Sequence, residues 1–188
     1  MRPLVSFMHV SLDGFVAGPN GEMDWIKVDD EIFDYVGDRT KGCDTALYGR
    51  VTWQMMEGYW PTAADKPNPS KHTIEHAAWY KNVDKVVLSK SMEGQQLPNT
   101  IIISDDIEHR IKALKQQAGS EILMFGSPGA THSLLKYGLI DDFWLFLNPI
   151  VIGNGIPLFK DVPQVTKLTL EKSKAFGSGV VCLHYRKA

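Results

Sequence analysis

Two kinds of hydrophobic pattern alternate along the chain: short continuous apolar runs, and segments with apolar residues three and four positions apart. Short apolar runs closed by glycine, serine or aspartate are typical of strands in a parallel sheet, whereas apolar residues three and four positions apart indicate helices. The runs predict strands over residues 4–10, 44–48, 85–89, 100–104 and 121–125. The helical spacing predicts helices over residues 29–39 and 51–57, from residue 107 to about 119, and from about 127 to 138. Residues 58–70, which include three prolines, form the longest predicted loop.

The C-terminal part of the chain has a different pattern. Residues 143–152 are almost wholly apolar, as in a strand that is buried on both faces of a sheet. Residues 167–174 and 180–186 alternate apolar and polar positions around a Gly-Ser-Gly turn, which predicts an antiparallel hairpin. No repeat, low-complexity segment or linker divides the chain, so we expect one domain over residues 1–188. The predicted fold class is α/β, a mostly parallel central sheet flanked by helices with an antiparallel C-terminal hairpin.

The composition argues against several classes of protein. The formal net charge is -2 and no run of Lys or Arg occurs, so we expect no nucleic-acid partner. No apolar stretch approaches the ~20 residues that span a bilayer, and the first apolar run meets Asp13 too early for a secretory signal. Cys43 and Cys182 lie far apart and are expected to be buried thiols, although the sequence leaves a disulfide open. We therefore expect a cytoplasmic protein with no membrane partner.

Two strand-to-helix junctions carry residues that suit phosphate binding. At the first junction, Gly49 permits a sharp turn and a close ligand approach before a helix whose free N–H groups attract anions. At the second, small residues open a helix directly after a buried strand. Between them, a strand ends in Ser89 and Lys90, which would suit a 2′-phosphate. Each of these features, taken alone, also fits a turn or a strand end that binds no ligand. The candidate residues are Gly49, Arg50, Val51, Thr52, Leu88, Ser89, Lys90, Gly126, Ser127, Pro128, Gly129, Ala130 and Thr131.

Short motifs in a fixed order run through nearly the whole chain. They are SLDGFVA at 11–17, GRVTW at 49–53, YWP at 59–61, VLSK at 87–90, GS at 126–127, GLIDD at 138–142 and PIVIGNGIPLF at 149–159. In this order they make the chain resemble the dihydrofolate reductase family in the broad sense. Within that family, the chain is most similar to the branch that contains the reductase domain of riboflavin biosynthesis.

The resemblance implies a dihydrofolate-reductase-like fold and an NADPH cofactor. It places Val16, Ala17 and Gly18 in the loop that closes over the nicotinamide. It also assigns residues 49–52 to a phosphate-binding helix start, residues 88–90 to the 2′-phosphate position and residues 126–131 to the diphosphate turn. Asp13 falls where the riboflavin-type branch carries an acid near the substrate.

Hydride transfer to a C=N or C=O group also needs a proton. Dihydrofolate reductases hold an acidic residue on the first helix shortly after a tryptophan, and here Asp30 follows Trp25 at a comparable spacing. Asp30 and Asp13 are thus the candidate catalytic acids. The alternative for Asp30 is a first-turn carboxylate that only interacts with the helix dipole. Trp60 is expected to border the substrate pocket or simply to pack.

The histidines are not expected to form a metal site. The segment His72-Thr73-Ile74-Glu75-His76 matches the H-x-x-E-H pattern of one class of zinc peptidases. Two imidazoles leave a zinc site short of a ligand, so we expect a solvated helical face and no metal. His9 is expected to pack in the core.

The resemblance implies NADPH-dependent hydride transfer to a small heterocyclic substrate. The first candidate substrate is 5-amino-6-(5-phosphoribosylamino)uracil of riboflavin biosynthesis, and the second is dihydrofolate or a related pterin. A non-catalytic NADPH-binding or regulatory protein with the same fold is the alternative. The same branch, together with the apolar region 144–159, predicts a homodimer.

Overall fold

The short apolar runs of the sequence lie side by side in one central sheet of the computed structural model, which describes residues 1–188. The strands are β1 (Leu4–Ser11), β2 (Phe15–Ala17), β3 (Thr45–Gly49), β4 (Asp84–Leu88), β5 (Thr100–Ile103), β6 (Ile122–Phe125), β7 (Asp142–Asn148), β8 (Ile156–Pro157), β9 (Leu168–Ala175) and β10 (Val181–Lys187). The helices are α1 (Asp30–Thr40), α2 (Arg50–Glu57), α3 (Trp60–Ala63), α4 (Lys71–Asn82), α5 (Ile107–Gln116) and α6 (Pro128–Lys136), and a 3₁₀ turn spans Lys90–Met92.

The sheet has eight strands in the order β5-β4-β3-β6-β1-β7-β10-β9. The six strands from β5 to β7 are parallel, and β10 and β9 continue the sheet in the antiparallel sense. This arrangement confirms the predicted mostly parallel sheet with an antiparallel C-terminal hairpin. The parallel strands end at one edge, where β1, β3 and β6 are neighbours and where ligands bind in sheets of this kind.

Each face of the sheet is covered by its own core, because successive strand residues point to opposite sides. Leu4 of β1 belongs to the core against α5 and α6, whereas the next residue, Val5, belongs to the core on the opposite face. The second core contains Ile32 of α1 and Tyr80 of α4, and Trp53 of α2 packs against it. The two cores hold the helix starts at fixed positions above the sheet edge.

Two predicted elements differ from the structure. The strand expected over 143–152 begins one residue earlier and ends at Asn148, because Pro149 cannot donate to a ladder. The expected loop over 58–70 contains the short helix α3, and Ser70 then caps α4 by accepting a hydrogen bond from the Thr73 amide at 3.1 Å. The sequence did not predict the small second sheet of β2 and β8.

The expectation of a solvated histidine face on α4 was wrong. His76 is partly buried, with its ring centroid 4.1 Å from that of Trp60 and 4.9 Å from that of Trp79. Burial lowers the pKa of His76 from 6.5 to about 4. His72 lies 3.2 Å from an Asp34 oxygen and stacks on Phe33. The two imidazoles therefore have separate packing partners.

Two further predictions concern covalent bonds and membranes. Cys43 and Cys182 are both free and buried, which confirms the prediction of buried thiols. None of the helices has both the length and the apolar character that crossing a bilayer requires.

Candidate active site

A cleft lies at the edge of the sheet where β1, β3 and β6 end, and it has two adjoining chambers. The outer chamber, of about 390 Å³, lies between the starts of α2 and α6. The inner chamber, of about 190 Å³, lies deeper against β1 and the end of β6. The shared wall consists of Ala17, Met23, Thr52, Met55, Ser127 and Pro128.

The outer chamber brings the two predicted junctions together. The amide of Gly49, at the end of β3, donates a hydrogen bond of 2.6 Å to the hydroxyl oxygen of Ser127, which follows β6. A Cβ atom on Gly49 would lie 3.1 Å from that oxygen and 3.2 Å from the Cβ of Ser127. A larger residue at position 49 would therefore fit only if the Ser127 side chain moved by a few tenths of an ångström.

The second turn has an unusual backbone. Gly126 and Ser127 both have positive φ, at 57° and 62°. The left-handed conformation is open to glycine but costs a serine roughly 1–2 kcal/mol. Such local strain is characteristic of ligand-binding turns. Here it places the Ser127 hydroxyl against the Gly49 amide.

Both helix starts at the outer chamber can receive an anion. Neither α2 nor α6 has a side-chain cap at its N-terminus, so backbone N–H groups of the first turns are free to bind a ligand. The lining includes one cationic side chain, Arg50, and no carboxylate. Arg50 is exposed and donates to Gln54 Oε1 at 3.0 Å, so its charge stays near the opening. These groups suit a diphosphate.

The inner chamber is mainly apolar. Its polar side chains are His9, Thr52 and Ser127, and His9 is its only ionisable lining residue. The remaining lining residues are Phe7, Met8, Val16, Ala17, Met23, Ile26, Met55, Met56, Phe125, Gly126 and Pro128. Apolar walls with a few polar groups suit a flat organic ring.

Most of the predicted cofactor residues line this cleft. Val16 and Gly126 line the inner chamber, and Ala17 lines both chambers. Those lining the outer chamber also include Gly49, Arg50, Val51, Thr52, Leu88, Ser127, Pro128, Gly129 and Ala130.

Four predicted cofactor residues lie outside the lining of both chambers. Gly18 is buried just beyond the wall, and the Thr131 side chain is fully buried in α6. Ser89 and Lys90 follow β4, and Lys90 is exposed in the 3₁₀ turn. Their cofactor roles remain predictions.

The structure does not bring the two candidate acids into the cleft. Asp13 is exposed and accepts hydrogen bonds from the Ser11 hydroxyl at 2.6 Å and from the Gly153 amide at 2.8 Å. These bonds, the Ser11 bond foremost, lower the pKa of Asp13 below its usual value. Asp13 therefore fastens the turn after β1 to the loop after β7 as an ionised group. Asp30 is exposed in the first turn of α1, next to the N-cap Asp29.

Trp60 also lies away from the cleft lining. Its indole nitrogen lies 3.1 Å from the Met56 sulfur, and its ring packs on Tyr59 and His76. Met56 does line the inner chamber, so Trp60 supports the chamber wall from behind.

Several lining residues were not identified from the sequence. They are apolar side chains of β1, of the loop before α1, of α2, of β6 and of β8, together with His9. The methionines Met8, Met23, Met55 and Met56 were the available signal, because flexible thioethers are common on the walls of binding sites. His9 was assigned to the core because a strand pattern does not distinguish a core from a cavity wall.

Comparisons with known proteins agree with this architecture. The model of the family described as "RibD C-terminal domain" matches residues 2–182. The uncharacterized protein YyaP of Bacillus subtilis is 33% identical over 185 residues, which cover 98% of this chain and 94% of that protein.

Two solved structures share the fold. The diaminohydroxyphosphoribosylaminopyrimidine deaminase/5-amino-6-(5-phosphoribosylamino)uracil reductase of Thermotoga maritima has a TM-score of 0.67 at 19% identity, over 100% of this chain and 57% of that one. The dihydrofolate reductase of Enterococcus faecalis, complexed with NADP(H), has a TM-score of 0.63 at 14% identity, over 98% of this chain and 96% of that one. The predicted dihydrofolate-reductase-like fold is thus confirmed.

Proposed function

Because the chain belongs to the RibD C-terminal domain family, a family of reductase domains, we propose that it is an NADPH-dependent reductase of a small planar substrate. The observation that carries the proposal is the pair of uncapped helix starts, joined by the Gly49–Ser127 hydrogen bond, beside an apolar inner chamber. A reductase of this kind needs both features, since the diphosphate of its cofactor is anionic and its flat substrate has to lie in a pocket beside the nicotinamide.

The residues of the outer chamber fit a diphosphate. The chamber offers backbone donors from two helix starts, one guanidinium and no opposing carboxylate. A Cβ on Gly129 would meet no atom within 4 Å, so the turn leaves open space where the backbone faces the cleft. We infer that residues 49–52 and 126–130 hold the phosphates. NADPH, when bound, supplies the hydride.

The inner chamber would orient the substrate and keep water away from the reacting atoms. Met8 and Phe125 come from the sheet, and Met55 and Met56 come from α2, so the walls close around a flat ring. Excluding water strengthens every polar interaction that remains inside. Asp30 lies outside the lining of both chambers, so we propose that it supplies the proton by way of water. Asp13, whose pKa is lowered, is proposed only as a contact of the substrate.

Among substrates of the family, 5-amino-6-(5-phosphoribosylamino)uracil is the first compound to test, and a dihydropterin is the second. The structure that supports this order is the Thermotoga reductase named above. The alternative, an NADPH-binding protein without turnover, would show cofactor binding but no NADPH oxidation with either compound.

The test of the cofactor site is a titration with NADPH and with NADH, followed by nicotinamide fluorescence. We expect Arg50→Ala to weaken NADPH binding about tenfold, the effect of one charged hydrogen bond of roughly 1.4 kcal/mol. Lys136→Ala removes the same charge from the last turn of α6 and should leave binding unchanged. Absence of binding by the unaltered protein would overturn the proposal.

We also propose that the protein is a cytoplasmic homodimer. Free buried thiols suit a reducing compartment. Val151 and Phe159, at the end of the region 144–159, are 65% and 47% exposed, which suits a surface covered by a second copy. Light scattering at micromolar concentration tests the dimer, and a monomeric mass would contradict it.

A further inference from the structure

The inner chamber has mainly apolar walls, in which His9 is the one ionisable residue and Thr52 and Ser127 contribute hydroxyl groups. Met8, Met23, Met55 and Met56 line it, and neither a carboxylate nor an ammonium or guanidinium group is among the lining residues. The nearest cation in the cleft, Arg50, lines the outer chamber. An ion would lose its hydration in the inner chamber without gaining a counter-charge, which is strongly unfavourable.

The ring of His9 is held in one orientation. It stacks on Phe146 with a centroid distance of 5.0 Å and an interplanar angle of 29°. Phe7 meets it edge-on at 5.7 Å, with an angle of 83°. These two contacts fix the ring at the end of β1, where it lines the chamber.

Asn148 determines which nitrogen of His9 carries the proton. The Oδ1 atom of this buried asparagine accepts from the Lys27 amide at 2.9 Å, and its Nδ2 donates to the Phe146 carbonyl at 3.0 Å. Nδ2 also lies 3.3 Å from Nδ1 of His9. Because both backbone partners fix the amide orientation, Nδ2 is the donor and Nδ1 the acceptor. In the neutral ring, the proton is therefore on Nε2.

The neutral form of His9 is favoured, and Nε2 is available to a ligand. Burial lowers the pKa of His9 from 6.5 to about 4, so the ring is uncharged near pH 7. No protein group hydrogen-bonds to Nε2, although Nδ1 is paired. A histidine that lines a chamber, with Nδ1 paired and Nε2 unpaired within the protein, can donate one hydrogen bond to a bound molecule.

We propose that the inner chamber binds an uncharged planar carbonyl compound whose oxygen accepts a hydrogen bond from Nε2–H of His9. This inference rests on the proposed reductase function and narrows its substrate class. Neutral conjugated carbonyl compounds, including quinones, fit the apolar walls, whereas a phosphorylated ribosylaminopyrimidine has no cation for its phosphate in this chamber.

Reduction of a conjugated carbonyl compound requires one hydride and one proton. The substrate receives a hydride from the reduced nicotinamide, and the electron pair displaced from the C=O bond moves to oxygen. His9 stabilises the developing negative charge by its hydrogen bond and keeps its own proton. The oxygen then takes a proton from water, so the substrate gains two electrons and two hydrogens while the nicotinamide is oxidised.

A matched pair of probes tests the substrate class. 1,4-Naphthoquinone and 1,4-naphthoquinone-2-sulfonate share a ring system and differ in charge. We expect the neutral quinone to bind and to be reduced with a kcat/KM at least about tenfold higher than the sulfonate, because burying an unpaired ion is costly. Binding is measured separately by quenching of tryptophan fluorescence, and quinone reduction is corrected for the reaction without protein.

Two variants test His9 itself. His9→Phe keeps an aromatic ring between Phe7 and Phe146 but removes the donor, so we expect a roughly 10- to 100-fold lower kcat/KM with unchanged NADPH affinity. His9→Gln, which retains a donor, should recover part of the loss. His109→Phe changes an exposed histidine and is the control. Nitrogen-15 NMR of labelled histidine should show the His9 proton on Nε2.

The outcomes separate this inference from the proposed function. Failure of NADPH to bind overturns the reductase proposal itself. NADPH binding with turnover of the phosphorylated aminouracil and none of the neutral quinone overturns only the substrate class. Unchanged quinone reduction by His9→Phe, or a proton found on Nδ1, overturns the role of His9.

Discussion

Replacing Gly49 by alanine tests how closely the turns after β3 and β6 approach each other. The backbone of Gly49 is extended, with φ at -85° and ψ at 162°, so alanine is not excluded by its own conformation. The added Cβ would instead lie 3.1 Å from the Ser127 oxygen that the Gly49 amide contacts. Ser127 has to move, and its left-handed backbone leaves it few alternatives.

The magnitude follows from three contributions. Weakening the hydrogen bond of 2.6 Å costs about 1 kcal/mol. Forcing a methyl group into a filled site costs about 1–3 kcal/mol. The lower entropy of the unfolded alanine chain offsets about 0.4–1 kcal/mol. We expect a net loss of about 2 kcal/mol, which corresponds to a melting temperature roughly 4–8 °C lower for a domain of this size.

Thermal unfolding and NADPH titration measure the two consequences together. We expect Gly49→Ala to lower both the melting temperature and the NADPH affinity. Gly129→Ala is a matched comparison, because its Cβ would meet no atom of the protein although it faces the outer chamber. It should retain or gain stability and still weaken NADPH binding. Gly37→Ala, in α1 and with open space around it, should gain about 0.5–1 kcal/mol with NADPH affinity unchanged.

Two outcomes would contradict these expectations. If Gly49→Ala unfolds at the same temperature as the unaltered protein and binds NADPH equally well, Ser127 makes room for the added Cβ at no cost, and the close contact does not restrict position 49. If Gly129→Ala leaves NADPH affinity unchanged, the diphosphate does not lie against that turn.

Three further predictions address neighbouring groups. Lys90→Ala should weaken NADPH binding about tenfold and NADH binding little, because only NADPH carries the 2′-phosphate; equal losses in parallel titrations would remove this role. Ser127→Gly should be more stable to urea than Ser127→Ala, since both lose the hydroxyl but only glycine relieves the positive φ; the reverse order would exclude strain. The free energy of unfolding should fall by up to about 3 kcal/mol as the pH drops from 6.5 towards 4. The reason is that in this range His76 binds a proton in the unfolded chain but not in the folded protein. Urea unfolding at pH 7 and 4.5 should show a smaller loss of stability for His76→Phe than for the unaltered protein. An equal loss in both would contradict the lowered pKa of His76.

The strands and the turns that follow β3 and β6 could be predicted from local sequence. A strand buried on both faces has no polar side, so an apolar run such as residues 122–125 identifies it without its neighbours. The turn at Gly49 could be identified because a glycine between an apolar run and a helical pattern marks a junction. The order of the motifs then identified the family, and the resemblance provided the chemistry that each motif alone left open.

Local sequence was less informative about α4 and the acids. The residues of α4 mix polar and aromatic positions with little periodicity, since its packing partners lie on α1, α3 and the sheet. Asp30 was selected by its spacing from Trp25, but spacing does not determine which way the start of α1 faces. In the structure Asp30 is exposed, and Asp13 accepts a hydrogen bond from the amide of Gly153.

Only the tertiary structure determines which residues line the inner chamber. Met8, Met23 and Met55 come from β1, the loop before α1 and α2, which are distant in sequence, and all three line the same chamber. The donor on His9 depends on Asn148, which is 139 residues away in sequence. A hydrophobic pattern in the sequence indicates which side chains are buried in the folded protein. Whether such a side chain then meets other side chains or an empty chamber depends on how distant elements pack, and no local period carries that information.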